Sequence, residues 1–356
     1  MAIKRIAKIL KNDTTAILIS SPENRRYFTG FPSSDGYLIV TKNDAVFFTD
    51  SRYTEAASKS ISVCKTAPLT RVSDEIKNYL QDCKIQKLFV ERERLTIGEF
   101  EALKGALSPV KLAPSKALEK KISALREIKN KEEIKCIKKA QKIAEGAFDH
   151  ILTFIKPGVT EKQVALQLDF YMLSHGAEAL SFETIAVTGA KTSMPHGVPD
   201  DTVVKKGDFV TMDFGAVYKG YHSDMTRTVA VGEISSEQRK IYEIVLQAQL
   251  SALEILKSGA SCKEADSAAR RVIEAAGYGE YFGHGTGHGV GVEIHEAPNL
   301  SPRSESFLKV GNVVTVEPGI YIPGKFGVRI EDMARITRNG CENLTKSPKE
   351  LIILGV

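Results

Sequence analysis

Between residues 14 and 115, short apolar runs alternate with stretches that repeat at helical spacing. Ala16-Ile17-Leu18-Ile19, Tyr37-Leu38-Ile39-Val40, Ala45-Val46-Phe47-Phe48 and Lys87-Leu88-Phe89-Val90 read as strands. Ser73 to Leu80 and Thr96 to Phe100 begin like capped helices. This alternation predicts a small α/β domain. From Arg126, apolar residues at Ile134, Ile137, Ala144 and Phe148 recur three and four apart. They predict a long amphipathic helix that stops at Lys156-Pro157-Gly158, where proline and glycine cannot continue it. We place the domain boundary near residue 124, giving domains 1–124 and 125–356.

The second domain repeats itself. Ile155-Lys156-Pro157-Gly158-Val159-Thr160 recurs as Leu256-Lys257-Ser258-Gly259-Ala260-Ser261, and in each copy a Thr or Ser starts a capping box, with Gln163 or Glu264. The helices that follow end at Gly176 and Gly277. Further on, Lys206-Gly207-Asp208 through Asp213-Phe214-Gly215 aligns with Val310-Gly311-Asn312 through Glu317-Pro318-Gly319. Asp224-Met225-Thr226-Arg227 echoes Glu331-Asp332-Met333-Ala334-Arg335. Two such halves would pack about a pseudo-two-fold axis, because neither can bury its apolar surface alone.

Composition narrows the function. The net charge is +5 and lysines interleave with glutamates, so no basic stripe points to nucleic acid; the run from Glu119 to Lys142 reads as a solvated helix face. The five cysteines are scattered and form no CxxC, which argues against a disulfide framework or a cysteine zinc site and fits a reducing cytoplasm. The N-terminus reads as a short amphipathic helix rather than a signal peptide. No run approaches the ~18 apolar residues of a membrane span. Asp50, Arg52 and Tyr53, after a strand, are taken as structural.

Three of the seven histidines, His284, His288 and His295, fall in the stretch Gly283 to Glu296, together with five glycines in nine residues. Taken alone, the stretch is either a set of metal ligands and proton carriers or a mobile glycine loop. The glycines offer no G-x-G-x-x-G, and the chain has no G-x-S-x-G. The repeat weighs on that choice. It brings Asp213 and Glu317 to equivalent places, and likewise Asp224 and Glu331, all in or beside strand-like segments. Four converging carboxylates repel one another and resist burial unless cations join them. Oxygen-rich ligation with one imidazole, His288, suits two divalent ions such as Mn2+, Co2+ or Zn2+. A metal pair sharing a bridging hydroxide would suit amide hydrolysis.

At this point the residues resemble a known family. Gly220 to Thr228, His284 to Glu296, Val316 to Tyr321 and Val328 to Asp332 resemble the prolidase and aminopeptidase P enzymes, and the likeness spans residues 126–350. Asn24 to Phe31 and Phe48 to Tyr53 resemble that family's N-terminal domain. The resemblance implies an α+β pita-bread catalytic domain with a pseudo-two-fold repeat, preceded by a smaller creatinase-type α/β domain. It implies hydrolysis of Xaa-Pro bonds in peptides with proline at the second position, no nucleic-acid or membrane partner, a cytoplasmic location and a homodimer. Manganese would be the metal. Asp213 would chelate one ion, Asp224 and Glu331 would bridge both, and His288 and Glu317 would complete the second. Glu317 would also shuttle a proton, and His295 would stabilise the oxyanion. His196 and His284 resemble substrate-side histidines. Phe182 and Tyr321 would line the proline pocket, Phe182 standing where some relatives have Tyr. Arg329 would hold the active-site network or a substrate carboxylate. His150, His175 and His222 are taken as structural. Alternatives are a methionine aminopeptidase, against which weigh the extra domain, His284 four residues before His288, Tyr321 and Arg329, and a creatine amidinohydrolase or a non-catalytic peptide- or histone-binding relative, against which weighs the intact ligand set.

Overall fold

The computed structural model describes residues 2–355. The chain divides into two compact units, Met1–Arg126 and Glu127–Val356. The first contains α1 (Ala2–Ala7), β1 (Thr15–Ile19), α2 (Pro22–Thr29), β2 (Tyr37–Val40), β3 (Ala45–Thr49) and α3 (Thr54–Ser60). It continues with β4 (Lys65–Pro68), α4 (Glu75–Asp82), β5 (Lys87–Val90), α5 (Ile97–Ala106), β6 (Lys111–Pro114) and α6 (Lys116–Glu127). The sheet order is β4-β3-β2-β1-β5-β6. Its central strands read as unbroken apolar runs because both faces are covered: Ile17, Leu38 and Phe47 pack on one side, Leu18, Ile39 and Phe48 on the other. The two edges, β4 and β6, escape a hydrophobicity reading. Each is four residues long, starts with lysine and ends with proline, a composition that blocks further strand pairing.

The lysine-rich run is not one solvated helix. α6 buries Leu118, Ile122 and Leu125 in the core of the first unit. A separate helix, α7 (Lys131–Ile151), then starts behind Asn130, whose side chain accepts from the Glu132 and Glu133 amides while the Glu133 carboxylate accepts from the Asn130 amide. The expected single helix from Arg126 to Lys156 is therefore shorter at both ends.

The second unit continues with α8 (Glu161–Ser174), β7 (Ala179–Leu180), β8 (Ile185–Thr188), β9 (Phe209–Phe214), β10 (Ala216–Tyr218), β11 (Tyr221–His222) and β12 (Met225–Val231). The second half holds α9 (Ser236–Ile255), α10 (Cys262–Ala275), β13 (Gly287–Gly289), β14 (Glu296–Leu300) and β15 (Val313–Val316). It closes with β16 (Gly319–Ile322), β17 (Phe326–Arg329), β18 (Asp332–Ile336), β19 (Cys341–Asn343) and β20 (Ile353–Leu354). α7 and α8 share a core with the sheet β20-β12-β9-β8, while α9 and α10 share one with β14-β13-β15-β18-β19. This is the pita-bread α+β arrangement, helices segregated from duplicated sheets that are antiparallel except where β20 joins β12 in parallel.

The duplication extends to single hydrogen bonds. The Gly158 amide donates to the Val204 carbonyl as Gly259 donates to Leu308, and Gly207 donates to Val231 as Gly311 donates to Ile336. These four glycines, with Gly176 and Gly277, all have positive φ, which explains why glycine recurs at both copies of each turn. Thr160 makes the full capping box with Gln163, whereas Ser261 only accepts from the Glu264 amide.

The ladders correct one alignment. Met212, equivalent to Val316, pairs with Arg227, while Val316 pairs with Asp332. Asp213 pairs with Thr226, and the same register carried one position past the Val316–Asp332 pair sets Glu317 against Glu331. Thr226, not Asp224, is thus the register equivalent of Glu331. Asp224 lies two residues earlier, on the same face of the strand. The echo between Asp224-Met225-Thr226-Arg227 and Glu331 to Arg335 is out of step with the backbone pairing.

The equivalent residues Arg227 and Asp332 meet each other, Nη2 donating to Oδ1 at 2.8 Å, with the side chains 1% and 0% exposed. Arg227 also donates to the carbonyls of Thr226, Glu331, Ser347 and Pro348, which uses all five of its N–H groups. Asp332 accepts in addition from Gln249, Asn343 and Lys349. Burial opposes its charge, but Arg227 and Lys349 hold its carboxyl below the ordinary value. Its contribution to stability is therefore present above about pH 4 and is lost as pH falls through the lowered folded value. Removing one member leaves the other charged and buried, so Arg227→Met is expected to cost about 3–5 kcal/mol in urea unfolding at pH 7. A loss below about 1 kcal/mol would contradict this assignment.

Candidate metal centre

The strand ends deliver four carboxylates and an imidazole to one place. Asp213 lies near the end of β9, Asp224 just before β12, Glu317 just after β15, and Glu331 between β17 and β18. His288 sits in the middle of β13. Ligand atoms of Asp224, His288 and Glu331 all lie within 4.8 Å of one another. His288 Nε2 is 3.5 Å from Asp224 Oδ2 and 3.4 Å from Glu317 Oε1.

Burial, with Glu331, Asp213 and Glu317 as near neighbours, pushes the Asp224 carboxyl well above its ordinary range. The same causes raise Glu331, and burial raises Glu317. Burial also lowers His288, leaving it neutral at pH 7. Its Nδ1 is 3.1 Å from the Gly289 carbonyl, which can only accept, so Nδ1 carries the proton and the Nε2 lone pair faces the carboxylates. Asp213 Oδ1 and Glu331 Oε1 are buried with no hydrogen-bond partner among the described residues. Acceptor oxygens without donors, an imidazole lone pair and crowded carboxyls together form a donor set that could hold divalent cations.

A hydrogen-bonded chain adjoins the cluster. Arg329 donates to Asp213 Oδ2 at 2.7 Å, to Thr226 Oγ1 at 3.0 Å, to Tyr321 Oη at 3.0 Å and to the Pro195 carbonyl at 3.3 Å. His284 Nδ1 donates to the Gly285 carbonyl at 2.8 Å, so Nε2 must accept from the Tyr321 hydroxyl, also at 2.8 Å. Burial pushes the Tyr321 phenol up to about 12 and lowers His284, which keeps both groups neutral at pH 7. Arg329 therefore holds the network, and His284 offers its ring rather than a free nitrogen.

Two cavities border the carboxylates, and both are lined by Asp213, His196, His288, His295 and Glu317. One, about 410 Å³, is largely apolar, with Phe182, Ile185, Val198 and Ile294. The other, about 320 Å³, adds Pro195, His284, Asn299, Ser301 and Arg329. Phe182 and Tyr321, expected together, are apart: Phe182 lines the apolar cavity, while Tyr321 is buried and bonded to His284 and Arg329. His295 stands edge-on to His288, ring centroids 4.4 Å apart. His222 Nδ1 is 2.8 Å from Ser181 Oγ, and His150 and His175 both stack on Tyr171.

The glycines around His288 serve close backbone packing. None from Gly283 to Gly291 has positive φ. A side chain at Gly287 would collide with the Thr315 carbonyl, one at Gly289 with Ala297, and one at Gly291 with the Glu296 carboxylate. Glycine is needed here for strand-to-strand contact, not for a mobile loop.

Three supporting residues escaped the sequence reading. Thr315 Oγ1 accepts from the His288 amide and donates to Glu317 Oε1, each at 3.0 Å. Thr226 Oγ1 donates to Glu331 Oε2 at 2.8 Å. Asp266, fully buried on α10, accepts from the Thr286 amide and from Arg270, fixing the glycine-histidine stretch. Only Asp266 had a signal, an i,i+4 Asp–Arg pair on a helix face otherwise made of small and apolar residues, Cys262, Ala265, Ala269 and Ile273. Threonines in strands are too ordinary to stand out.

Comparison with known proteins agrees with this geometry. Residues 135–338 match the model of metallopeptidase family M24, and residues 3–128 match the creatinase/prolidase N-terminal domain. A Xaa-Pro dipeptidase of Pyrococcus horikoshii is 40% identical over 354 residues, 98% of each chain. The structure of a Xaa-Pro dipeptidase from Bacillus anthracis superposes with a TM-score of 0.95 at 46% identity, covering 99% of both chains. An X-Pro aminopeptidase structure from Thermotoga maritima gives 0.92 at 37% identity, covering 98% of this chain and 99% of that one.

The raised carboxyls carry a stability consequence. Without metal, the folded protein binds more protons than the unfolded chain above about pH 4, so the cluster's contribution to stability falls as pH rises through the raised values. Glu331→Gln, which removes one charge, is expected to raise the melting temperature of EDTA-treated protein at pH 7.5, by about 2–4 °C per kcal/mol of repulsion relieved. Mn2+ should raise the melting temperature of the wild type and fail to raise that of the variant. Calorimetry with and without metal measures both, and a lower melting temperature for the metal-free variant would contradict the repulsion argument.

Proposed function

We propose a reaction for this chain, which belongs to metallopeptidase family M24 and carries a creatinase/prolidase N-terminal domain: it hydrolyses the bond between an N-terminal residue and a following proline. Membership of a metallopeptidase family makes it a hydrolase that depends on divalent metal. The observation that carries the Xaa-Pro reading is the carboxylate–imidazole cluster bordered by two cavities of different character. The names of its relatives, Xaa-Pro dipeptidases and an X-Pro aminopeptidase, support the same substrate class.

Asp213, Asp224, His288, Glu317 and Glu331 would hold two divalent ions, with Mn2+ the best match to four carboxylates and one imidazole. When bound, the ions supply Lewis acidity, which makes a water more acidic and polarises the scissile carbonyl. Glu317, raised by burial and fixed by Thr315, takes a proton from the attacking water and delivers it to the leaving nitrogen. That nitrogen has no N–H of its own, because the bond before proline is a tertiary amide. His295, lowered by burial and therefore neutral, donates a hydrogen bond to the carbonyl oxygen as charge develops there. His196, exposed and bordering both cavities, lies against the substrate on either side of the scissile bond.

The cavity bordered by Arg329 and His284 takes the proline, where the guanidinium favours the carboxylate of a dipeptide and the His284 ring packs on the pyrrolidine. The apolar cavity takes the side chain of the N-terminal residue. Phe182 accordingly serves the N-terminal residue rather than the proline.

Protein depleted of metal and reconstituted with Mn2+ is expected to cleave Ala-Pro or Ala-Pro-Ala, to leave Ala-Ala intact, and to lose activity in EDTA. If fully metallated protein cleaves neither proline peptide, the reading is wrong. Phe182→Ala is expected to lower kcat/KM for Leu-Pro roughly tenfold, the equivalent of about 1.4 kcal/mol of lost apolar contact, and to change Gly-Pro much less. Equal losses on the two substrates would remove Phe182 from the subsite.

A further inference from the structure

One buried hydroxyl joins the cluster to the hydrogen-bonded chain beside it. Thr226, on β12, is 0% exposed. A hydroxyl has one proton and two lone pairs. Arg329 Nε, at 3.0 Å, can only donate and therefore occupies a lone pair, so the Thr226 proton goes to Glu331 Oε2 at 2.8 Å. The direction of both bonds is thereby forced, and Oε2 of Glu331 is the acceptor. Glu331 keeps its other oxygen, Oε1, buried and without a donor among the described residues. The next residue on the same face, Thr228, bonds to the backbone amide and carbonyl of Arg329 at 3.3 and 3.0 Å. Two threonines in one strand thus grip Arg329 by side chain and by backbone, and Arg329 in turn holds Asp213 at 2.7 Å.

We infer that Thr226 is a positioning residue for the metal cluster. It acts on two ligands at once, directly on Glu331 and through Arg329 on Asp213, although it touches neither the metal nor the substrate. Its hydroxyl decides which oxygen of Glu331 turns towards the ions. It also ties that choice to the Arg329–Tyr321–His284 chain bordering the proline cavity. Its place in the ladders explains why it had no signature: β12 carries a hydroxyl at the position where the other half carries the carboxylate of Glu331. The duplicated fold therefore supplies a ligand from one half and its hydrogen-bond donor from the other.

The inference rests on the reading that Asp213, Asp224, His288, Glu317 and Glu331 bind two divalent ions, and metal binding measured without substrate separates the two claims. Metal-free wild type, Thr226→Val and Thr226→Ser are titrated with Mn2+ by calorimetry, with circular dichroism and melting temperature recorded for each. Valine keeps the shape of threonine and removes the hydroxyl, whereas serine keeps the hydroxyl. Thr226→Val is expected to weaken Mn2+ binding by ~10-fold or more, the usual effect of losing a hydrogen-bond partner of a ligand. Thr226→Ser should restore binding to within about threefold of wild type, a rescue that a purely space-filling role would not produce. With Ala-Pro as substrate, Thr226→Val should lower kcat at saturating Mn2+ and raise KM through Arg329. Should the valine variant fold poorly, the contrast between Thr226→Ser and Thr226→Ala carries the same comparison. Wild-type Mn2+ affinity in a folded Thr226→Val, or equal losses in the serine and valine variants, overturns the positioning role and leaves the proposed function standing. Absence of stoichiometric Mn2+ uptake by the wild type overturns both.

Discussion

Asp213, Asp224, Glu317 and Glu331 are held where each suffers from the charge of the others, and much of the second unit is arranged around that repulsion. Isolated charges cannot be kept out of water without partners. Here the partners come in layers. Arg329 neutralises part of the cluster through Asp213. Thr226 and Thr315 donate to the glutamates, and the Gly289 carbonyl turns the lone pair of His288 inward. Among the described residues, Asp213 Oδ1 and Glu331 Oε1 are left without donors, as the proposed cation sites require. Each layer is cheap to build on strand ends, because paired strands fix both the direction and the register of the side chains they carry.

In the proposed reaction, the two cavities would give this charged centre its selectivity. An apolar wall with Phe182 and Ile185 and a polar wall with His284 and Arg329 present different chemistry on the two sides of the cluster. His284 is informative because both of its ring nitrogens are committed, to Gly285 and to Tyr321. Such a side chain recognises shape rather than hydrogen-bonding groups, which suits proline, a residue without an N–H.

How much of this was legible in the sequence depends on what each residue owes to its neighbours. The duplication was readable because Gly158, Gly176, Gly207 and their partners meet a local demand for positive φ. The edge strands β4 and β6 were not, because their short lysine- and proline-flanked sequences lack the apolar run that marks a buried strand. The likeness between Asp224-Met225-Thr226-Arg227 and Glu331 to Arg335 misled, since local similarity carries no information about ladder register. The five residues of the cluster were visible as a set, four carboxylates and one imidazole in or beside apolar strands. Thr226 was invisible, because a threonine in a strand is ordinary until its two hydrogen-bond partners are known. The glycines flanking His288 were visible but their reason was not, as the carbonyls of Thr315 and Ala297 are brought beside them only by folding.

The pairing of Arg227 with Asp332 carries a consequence for how such a fold came to be. On a true two-fold axis every residue meets its own copy, so an assembly of two identical halves would set arginine against arginine or aspartate against aspartate at this place. Neither like-charged pair could stay buried. The complementary pair needs two halves joined in one chain and free to change separately. In that sense the Arg227–Asp332 lock makes the two halves of the second unit non-interchangeable, and the same freedom lets one half carry a carboxylate where the other carries a hydroxyl.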